Sequence, residues 1–393
     1  MRIAMISEHA SPLGVGVLQS HVAELSGALA EQGHEVRVYT RRDDPALPAV
    51  VRLGEGVRVV HVPAGPPAIL PAHLLLPHMG DFAQWLRAEW TEGDWMPTVA
   101  HAHFWTSGLA AVTAARQVGI PVVQSFHELG EAGAAGSGPS RAGYERALGR
   151  AVDRVFVQSQ DEVRGLVRIG VPRAQLTLVQ AGVDSDRFSP EGPIAERDPA
   201  RPRILSVGRL VERKGFGDVI QAMQYVPGAE YVVVGGPPPE QLQSDPQAKR
   251  LRALAEHFKV ADRFRLVGNV PAADMPGWYR SADLLVAAPW QEQFELSPLE
   301  AMACGVPVIG TAGFNDTVVD GLTGDLVPAR DPRALGGALR RLVNDKVRRF
   351  TYATAALDRA RQAYSWKRVA AQVGSVYSTV AGLRRSNNEP VAS

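Results

Sequence analysis

Glu292-Gln-Phe-Glu-Leu-Ser-Pro-Leu-Glu300 decides the fold class of this chain, because a polar loop there runs into the start of a helix. Residues 284–288 precede it, an uninterrupted apolar run typical of a strand buried on both faces of a parallel sheet. Ser297 suits an N-cap, Pro298 suits the first helical position and Glu300 the third. A strand, a loop and a helix in this order predict an α/β fold.

Two interpretations of this stretch are open. In the first, Ser297 and Glu300 form a capping box that serves only the helix. That interpretation leaves Glu292 and Phe294 unexplained. In the second, the free N–H groups and the positive dipole at the helix start bind a phosphate group. Because a buried strand leads into this loop and the capping box leaves part of it unexplained, we favour the second interpretation and predict a nucleotide-sugar site.

Length and composition allow two domains and give no sign of a polyanionic partner. The 393 residues are 45% hydrophobic and 21% charged, as in globular proteins that bury a sizeable core. Lys and Arg total 42 against 41 Asp and Glu, so the formal net charge is only +1. Without an excess of basic residues, we expect no nucleic-acid partner.

Cysteine use and hydropathy predict a cytoplasmic protein that does not insert stably into a membrane. Cys304 is the sole cysteine, so no internal disulfide can form, which suits a reducing compartment. The start of the chain has no signal-peptide pattern, and no apolar run approaches the ~20 residues of a membrane span. Residues 68–77 are apolar but broken by Pro71 and Pro77; we interpret them as a packed loop, with peripheral membrane contact as the alternative.

A strand–helix–strand rhythm occurs in both halves of the chain. The first half opens with a strand at 3–7, a helix at 18–31 and a strand at 34–39. Further strands are predicted at 98–103, 122–126, 154–158 and 176–179, and in the second half at 203–207, 231–234, 264–267, 284–287 and 306–309. There is no fixed-period repeat, so the pattern indicates two similar domains.

The best candidate for an interdomain linker is residues 189–202, which contain four prolines and few apolar side chains. We therefore predict one domain over residues 1–188, the linker over 189–202 and a second domain over 203–365. A last helix is predicted at 366–383, and the polar tail after it is expected to fray.

Two cations follow the first predicted strand of the second domain. Gly208-Arg209 ends this strand, and Lys214 precedes a helix. Open parallel sheets bind ligands at the carboxyl ends of their strands, and cations there suit a diphosphate whose charge grows as its bond to a sugar breaks. The alternative is an ordinary solvated pair. In the first domain Gly14 and Gly16 form a G-x-G without a third glycine, which is a weak motif.

The E-x7-E spacing of Glu292 and Glu300, together with Arg209 and Lys214, resembles the signature of the retaining family 4 glycosyltransferases, or glycosyl transferases group 1. The resemblance covers nearly the whole chain. It implies the GT-B fold, with two Rossmann-like domains whose parallel sheets face each other across a deep cleft. In that family the N-terminal domain binds the acceptor, the C-terminal domain binds the nucleotide sugar, and the closing helix, here 366–383, crosses back to the N-terminal domain.

The resemblance also assigns roles to residues in both halves. Arg209 and Lys214 would stabilise the departing diphosphate, Glu292 would bond donor-sugar hydroxyls, and Glu300 would hold the ribose. His127, at the end of a predicted strand, would lie against the transferred sugar. The remaining donor-binding candidates are mostly loop and backbone positions: Gly14, Gly16, Gly208, Asn269, Val270, Phe294, Glu295, Leu296 and Ser297.

Departures from the family pattern bear on the substrates. Glu295 stands where the family usually has glycine, so its side chain would crowd or contact the donor sugar, and Asp316 stands where relatives often carry glutamate. The loop after His127 is acidic where relatives with phosphorylated acceptors tend to place Lys or Arg. These carboxylates favour a cationic acceptor such as an aminocyclitol or amino sugar. The candidate acceptor residues are Glu8, His103, Glu128 and Glu131.

The predicted function is retaining transfer of a hexose from a nucleotide diphosphate sugar, by resemblance a UDP-hexose, to a hydroxyl of a small hydrophilic acceptor. The family needs positioning and charge stabilisation rather than a nucleophile, so we expect no cofactor and no metal. His101 and His103 point the same way on one strand, but no further ligand has suitable spacing. We expect a monomer or a homodimer.

Three alternatives remain from the residues alone. A glycosidase could use Glu292 and Glu300 as its paired carboxylates, although a glutamate at a helix N-terminus should stay ionised and act poorly as an acid. A nicotinamide-dependent oxidoreductase would need the missing third glycine. A nucleotide-sugar binding protein without transfer would be distinguished by the absence of turnover.

Overall fold

The computed structural model describes residues 1–14, 17–71, 74–130, 141–290, 296–311 and 317–388. The chain forms two compact units: Met1–Gly182 together with Trp366–Ser393, and Val183–Ser365. The C-terminal segment therefore belongs to the same unit as the N-terminal half. The division falls after Gly182, whereas the sequence placed it after residue 188.

The first unit contains a sheet whose described strands lie in the order β3-β4-β2-β1-β5-β6-β7-β8. β3 is antiparallel to β4, and the other neighbouring strands are parallel. The strands are β1 (Arg2–Ile6), β2 (Glu35–Arg41), β3 (Val50–Gly54), β4 (Val57–Val62), β5 (Val99–His103), β6 (Val122–Ser125), β7 (Arg154–Val157) and β8 (Leu176–Leu178). The helices are α1 (Val17–Glu31), α2 (Met79–Glu92), α3 (Trp105–Ala115), α4 (Arg141–Ala151), α5 (Gln160–Arg168) and α12 (Trp366–Asn388).

Helices cover both faces of this sheet, which explains why its strands read as continuous apolar runs. On one face α1 and α12 pack against β1, with Val22 and Tyr377 in the same core cluster as Ile3. On the other face Phe82 of α2 and Ala110 of α3 belong to a second cluster. The central strand is thus inaccessible to water from both sides, and only its ends are open for chemistry.

The second unit contains a sheet whose described strands are all parallel, in the order β11-β10-β9-β12-β13-β14. This is the doubly wound 3-2-1-4-5-6 order of the Rossmann fold. The strands are β9 (Arg203–Val207), β10 (Glu230–Val234), β11 (Phe264–Gly268), β12 (Leu284–Ala287), β13 (Val308–Thr311) and β14 (Gly324–Val327). The helices are α6 (Phe216–Ala222), α7 (Pro246–His257), α8 (Met275–Arg280), α9 (Ser297–Ala303), α10 (Pro332–Asn344) and α11 (Lys346–Ala363).

Residues 189–202, which the sequence indicated as a linker, are hydrogen-bonded to the second unit. Arg280 donates to the carbonyls of Ser189 and Pro193, both at 2.8 Å. Arg197 donates to Asp283 at 2.7 Å. The proline-rich composition therefore reflects a coil that lies on a folded unit, because its backbone carbonyls find partners in arginine side chains.

Within the segment 68–77, the described residues, 68–71 and 74–77, are only partly packed. Leu75 is buried, but Ile69 is 86% exposed. Arg41 holds the start of the segment by donating to the carbonyls of Pro66 and Ala68. Among the described residues, no helix is both long and apolar enough to cross a bilayer.

Each sheet reverses its strand order at one place. In the first unit β1 lies between β2 and β5, and in the second unit β9 lies between β10 and β12. Loops leave the carboxyl ends of such neighbouring strands in opposite directions, which opens a crevice suited to ligands. We therefore expect ligands to bind beside the residues that follow β1, β5, β9 and β12.

Candidate functional site

At the reversal point of the first unit, two strand ends carry strained backbone. Phe104, after β5, has φ 74°, and His127, after β6, has φ 61°. A side chain in this left-handed region costs about 1–2 kcal/mol, so it persists only where the surroundings hold it. Strained backbone at a crevice is one indication of a functional site.

Glu8, at the end of β1, is buried beneath this site. Thr106 and Ser107, in the first turn of α3, donate to its two carboxylate oxygens, and His9 Nδ1 lies 2.9 Å from Oε1. Burial raises the pKa of Glu8, but these hydrogen bonds and the charge of His9 lower it more, so the pKa lies below the usual value. For His9, burial lowers the pKa, but the hydrogen bond and the charge of Glu8 raise it by more, so the pKa of His9 lies above its usual value. The two side chains form an ion pair.

This geometry gives Glu8 a different role from the predicted acceptor contact. Its side chain has no exposed surface, and its oxygens are occupied by residues of its own unit. His9 retains 27% side-chain exposure and packs edge-on against Phe104, with ring centroids 4.8 Å apart. Glu8 therefore orients His9, which is the partly exposed member of this pair.

Four histidines converge beside this pair. His103 Nδ1 lies 2.9 Å from His127 Nε2, and their rings stack at 15°. His21 of α1 packs edge-on against His127, with ring centroids 4.9 Å apart. His101 lies two residues before His103 on β5. Its Nε2 is 2.9 Å from Ser125 Oγ, and its Nδ1 is 2.6 Å from the Tyr377 hydroxyl. The sequence indicated His127 and His103 but missed His21, since nothing local links a helical histidine to the ends of two strands.

All four imidazoles are neutral because burial disfavours a charge. It lowers the pKa of His21 to about 4 and holds the pKa values of His101, His103 and His127 well below the usual value. The neighbouring imidazoles lower the last three further. His103 is fully buried, so it orients His127 and does not reach an acceptor, contrary to the predicted contact. His127 is half-buried and is the member of the cluster that can touch a sugar.

Helix α4 and the loop that precedes it carry the charged side chains at the mouth of this site. Glu145 of α4 accepts from the Gly130 N–H at 3.0 Å and from Arg141 Nε at 2.7 Å. Arg141 lies 4.9 Å above the Phe104 ring and also donates to the Glu128 carbonyl. The Glu128 side chain is exposed, as the predicted acceptor contact requires. The positive charge of Arg141 is thus already paired with Glu145.

At the reversal point of the second unit, glycines bring the backbone close to the predicted cations. Gly208, after β9, donates its N–H to the Val234 carbonyl at 2.9 Å. A Cβ on Gly208 would lie 3.8 Å from Lys214 Cε, so the lysine stem crosses directly above this turn. Gly215 has φ 72°, and a Cβ there would lie 1.9 Å from the Ala288 carbonyl oxygen. The turn places Lys214 beside the end of β12.

Arg209 is exposed and, within the described part of the chain, its guanidinium makes no ion pair. Asn269, after β11, is also exposed, and its backbone N–H is held by the Pro237 carbonyl at 2.9 Å. Val270 packs its side chain against the core of the second unit. The structure thus brings Gly208, Arg209 and Lys214 together at one turn, as the sequence predicts for a diphosphate site.

Trp290 anchors the loop that leads to the acidic motif. Its indole N–H donates to Asp218 at 2.7 Å, and its backbone N–H donates to the Arg213 carbonyl at 2.8 Å. Arg330 lies over the ring, 4.2 Å from its centroid. The sequence reasoning missed this anchor, which joins the end of β12 to the turn that carries Lys214.

Glu300 lies on α9, and the capping box that was the alternative interpretation of this stretch does not form. The helix begins at Ser297 with Leu296 as its N-cap, and no side chain caps it. Tyr279 donates instead to Glu300 Oε2 at 2.5 Å. Burial raises the pKa of Glu300, while Tyr279 and Arg187 lower it less. Loss of hydration thus opposes the ionisation that the start of a helix favours; that Glu300 stays ionised and is a poor acid stays a prediction.

Several predicted residues lie outside the described part of the chain, so no geometry is given for them. They are Gly16, Glu131, Glu292, Phe294, Glu295 and Asp316. Gly14 is described and exposed, with its N–H donating to the Ser11 carbonyl at 2.9 Å.

Comparison with protein families matches both halves of the chain. Residues 17–182 match the glycosyl transferase 4-like domain, and residues 201–345 match glycosyl transferases group 1. The chain is 34% identical to a D-inositol 3-phosphate glycosyltransferase of Xylanimonas cellulosilytica, with 96% of each chain covered. It is also 34% identical to D-inositol 3-phosphate glycosyltransferase 1 of Catenulispora acidiphila, covering 98% of this chain and 97% of that one.

Solved structures have the same architecture. A sucrose-phosphate synthase from Thermosynechococcus elongatus superposes with a TM-score of 0.83 at 28% identity, covering 97% of this chain and 99% of its own. HepE of Anabaena, in complex with UDP and glucose, superposes with a TM-score of 0.74 at 16% identity, covering 96% and 100%. At that identity the HepE likeness shows the fold alone.

Proposed function

The chain belongs to the group 1 glycosyltransferases with the GT-B fold, and we propose that it transfers a hexose from a nucleotide diphosphate sugar to a hydroxyl of a cyclitol. The observation that carries the proposal is the 34% identity, over 96% of both chains, to a D-inositol 3-phosphate glycosyltransferase. The proposed donor is a UDP-hexose, the proposed outcome is retention at the anomeric carbon, and no metal is required.

The second-unit turn supports this donor class. Breaking the bond between sugar and diphosphate leaves negative charge on the phosphate oxygens. Arg209 is exposed and the Lys214 stem crosses above Gly208, so both cations lie at the turn where glycine leaves room for a ligand. Stabilisation of this kind acts on the transition state, so its removal should lower kcat more than it raises KM.

Retention fits a mechanism without a protein nucleophile. In it, the diphosphate leaves from the same face of the sugar that the acceptor hydroxyl attacks, and a phosphate oxygen takes the hydroxyl proton. The protein then has to hold the two substrates together and exclude water. A neutral His127 can accept a hydrogen bond from a sugar hydroxyl or donate one to it, which suits a role in positioning the sugar. Glu292 and Glu300 would hold the donor by its sugar and ribose hydroxyls.

The charges at the mouth of the first unit favour a cyclitol that carries an amino group. Glu8 is paired with His9 and Arg141 with Glu145, so the exposed Glu128 leaves a net negative charge among these residues. An ammonium group would be attracted to this surface, and a phosphate would have to draw Arg141 away from Glu145. The relatives' names favour a second candidate, D-inositol 3-phosphate itself.

A matched set of acceptors separates these candidates. Purified protein is incubated in EDTA, without added metal, with UDP-, GDP- and dTDP-hexoses as donors. The acceptors, each tested separately, are inositol, D-inositol 3-phosphate, an aminocyclitol and the N-acetylated form of that aminocyclitol. Mass spectrometry identifies the product, and NMR of its anomeric proton tests retention. We expect a glycosylated aminocyclitol and little use of the N-acetylated form.

Equal use of the amine and its N-acetylated form would contradict the charge argument, and product from D-inositol 3-phosphate alone would favour the second candidate. Slow release of free hexose and UDP without product would support the donor site and show that the acceptor was absent. Folded protein that turns over no donor would overturn the proposed transfer and favour a binding protein. The Lys214→Ala variant, purified alongside, shows whether product arises from a contaminant.

A further inference from the structure

We propose that His21, His103 and His127 form a binding site for a divalent transition metal of the zinc type, and that metal bound there inhibits sugar transfer. The three residues come from a helix and two strands that lie far apart in the sequence, yet each places one ring nitrogen within 4.8 Å of the other two.

The distances are close to those of a coordinated metal. Zinc–imidazole bonds of about 2.0–2.1 Å in tetrahedral geometry place the ligand nitrogens roughly 3.4 Å apart. His103 Nδ1 and His127 Nε2 are already 2.9 Å apart, so they need to separate slightly. His21 has to approach them by a small rotation of its ring on α1.

The ring nitrogens are suited to act as ligands. His21 Nδ1 is buried and has no hydrogen-bond partner among the described residues, which is costly for a polar atom. His103 Nε2 faces the Met5 sulfur at 3.4 Å, and since a thioether can only accept, Nε2 carries the proton. The lone pair of His103 is therefore on Nδ1, the atom that faces His127.

The surroundings keep the three ligands neutral. Zinc binds only the neutral imidazole, and burial already holds these rings in that form. Because His103 Nδ1 accepts the proton of His127 Nε2, this proton moves to His127 Nδ1 when the metal binds Nε2. Three neutral imidazoles with an open fourth position are the ligand set of many zinc enzymes. His101 lies outside the set, because Tyr377 and Ser125 occupy its two ring nitrogens.

The inhibitory effect follows from the position of His127 and rests on the proposed function. A metal on Nε2 leaves only the Nδ1–H of His127, so the ring can no longer accept a hydrogen bond from a sugar hydroxyl, and the metal would place a charge beside it. Metal binding itself does not depend on which substrates the enzyme uses. Failure of the metal site is therefore distinguishable from failure of the proposed reaction.

The experiment measures binding first. Chelator-treated protein is titrated with Zn²⁺ in a calorimeter and with Co²⁺ in a spectrophotometer. We expect one equivalent to bind with a Kd in the micromolar range or below, and the visible absorption of tetrahedral Co²⁺ to appear and then vanish on addition of Zn²⁺. If the metal does not bind stoichiometrically, or if the Co²⁺ spectrum is that of an octahedral site, the proposed site is refuted. This test uses the original chain, so it holds even if no variant folds.

Single-histidine variants then locate the metal. His21→Phe keeps the aromatic contact with Trp366, at 5.2 Å between centroids, and removes both ring nitrogens. We expect its affinity to fall about 100-fold or more, since even residues behind the ligands contribute 10–100-fold. His61→Gln removes a histidine of β4 whose Nδ1 lies 2.6 Å from the Pro48 carbonyl and should bind as the original chain does. Unchanged binding by a folded His21→Phe variant would refute the assignment.

Activity is measured last, by donor turnover with and without Zn²⁺. We expect inhibition at the concentration at which the calorimeter shows binding, and full recovery in EDTA. Stoichiometric binding without inhibition would retain the site and refute the inhibitory role.

Discussion

The two units use the same topology to build opposite kinds of site. At the reversal point of the first sheet, the functional side chains are buried and paired with one another: Glu8 with His9, His103 with His127. At the reversal point of the second sheet, a glycine turn presents an exposed Arg209 beside Lys214. Topology therefore fixes where a Rossmann-like unit binds, and the side chains alone decide what it binds.

The proposed function accounts for the difference. A unit that binds a strongly hydrated nucleotide diphosphate, as proposed for the second, needs exposed cations and backbone that approaches closely. A unit that binds uncharged sugar and acceptor hydroxyls, as proposed for the first, needs fixed hydrogen-bonding groups in a site from which water is excluded. Three substitutions test this difference between the two units.

Lys214→Ala should have the largest effect. Removing a charge placed for the transition state lowers kcat by roughly 10²–10³, on the order of 3–4 kcal/mol, with a smaller change in KM. Steady-state kinetics with a saturating acceptor measure the change. Arg213→Ala is the matched control, because Arg213 is the exposed neighbour of Lys214 on the same turn and holds Trp290 through its backbone carbonyl only. Equal kinetics for Lys214→Ala and the original chain would remove the charge argument.

Gly215→Ala should destabilise the second unit. The left-handed backbone costs about 1–2 kcal/mol for alanine, and the Cβ would overlap the Ala288 carbonyl, for a total loss of about 2–4 kcal/mol in the free energy of unfolding. Gly228→Ala is the matched control: its φ is +83°, but nothing lies within 4 Å of a Cβ, so it should lose only about 1–2 kcal/mol. Urea unfolding measures both. Equal losses would mean that the close approach to β12 is not needed.

Glu8→Gln should have the smallest effect and the clearest pH dependence. The buried carboxylate accepts charge-assisted hydrogen bonds, and the amide should cost about 1–3 kcal/mol of stability. The folded-state pKa of Glu8 is lowered, so its contribution is present above the ordinary value of 4.5 and is lost in acid. The folded-state pKa of His9 is raised, so its contribution is present below the ordinary value of 6.5 and is lost as the pH rises through the folded value.

The stability difference between the original chain and Glu8→Gln should therefore be largest between pH 4.5 and 6.5 and should shrink at higher pH. Urea unfolding at pH 5.5, 7 and 9 measures it. The pKa of His9, followed by NMR, should fall in the variant because burial then acts without the carboxylate. A difference that grows with pH would mean that Glu8 and His9 are not an ion pair.

Much of the fold could be read from local sequence. Strands β9 and β12 were placed to the residue, because a strand buried on both faces is a continuous apolar run that a glycine or a polar loop ends. Strands β3 and β4 and helix α2 were missed, since β3 alternates between exposed and half-buried positions and gives a weak signal. The N-cap expected at Ser297 was also wrong, because the helix begins at Ser297 and Leu296 is its N-cap. The Glu300 carboxylate accepts instead from Tyr279 of another helix.

The sequence by itself determined the family, the doubly wound α/β fold, and the cations Arg209 and Lys214, because each depends on residues close together in the chain. Only the tertiary structure decided that Glu8 is buried behind His9, that Glu300 has a raised pKa, and that His21 joins His103 and His127. These properties depend on desolvation and on contacts between elements distant in sequence. A local pattern can show that a strand is buried, but it cannot show which groups from distant elements surround a given side chain, because those neighbours meet only once the sheet has assembled.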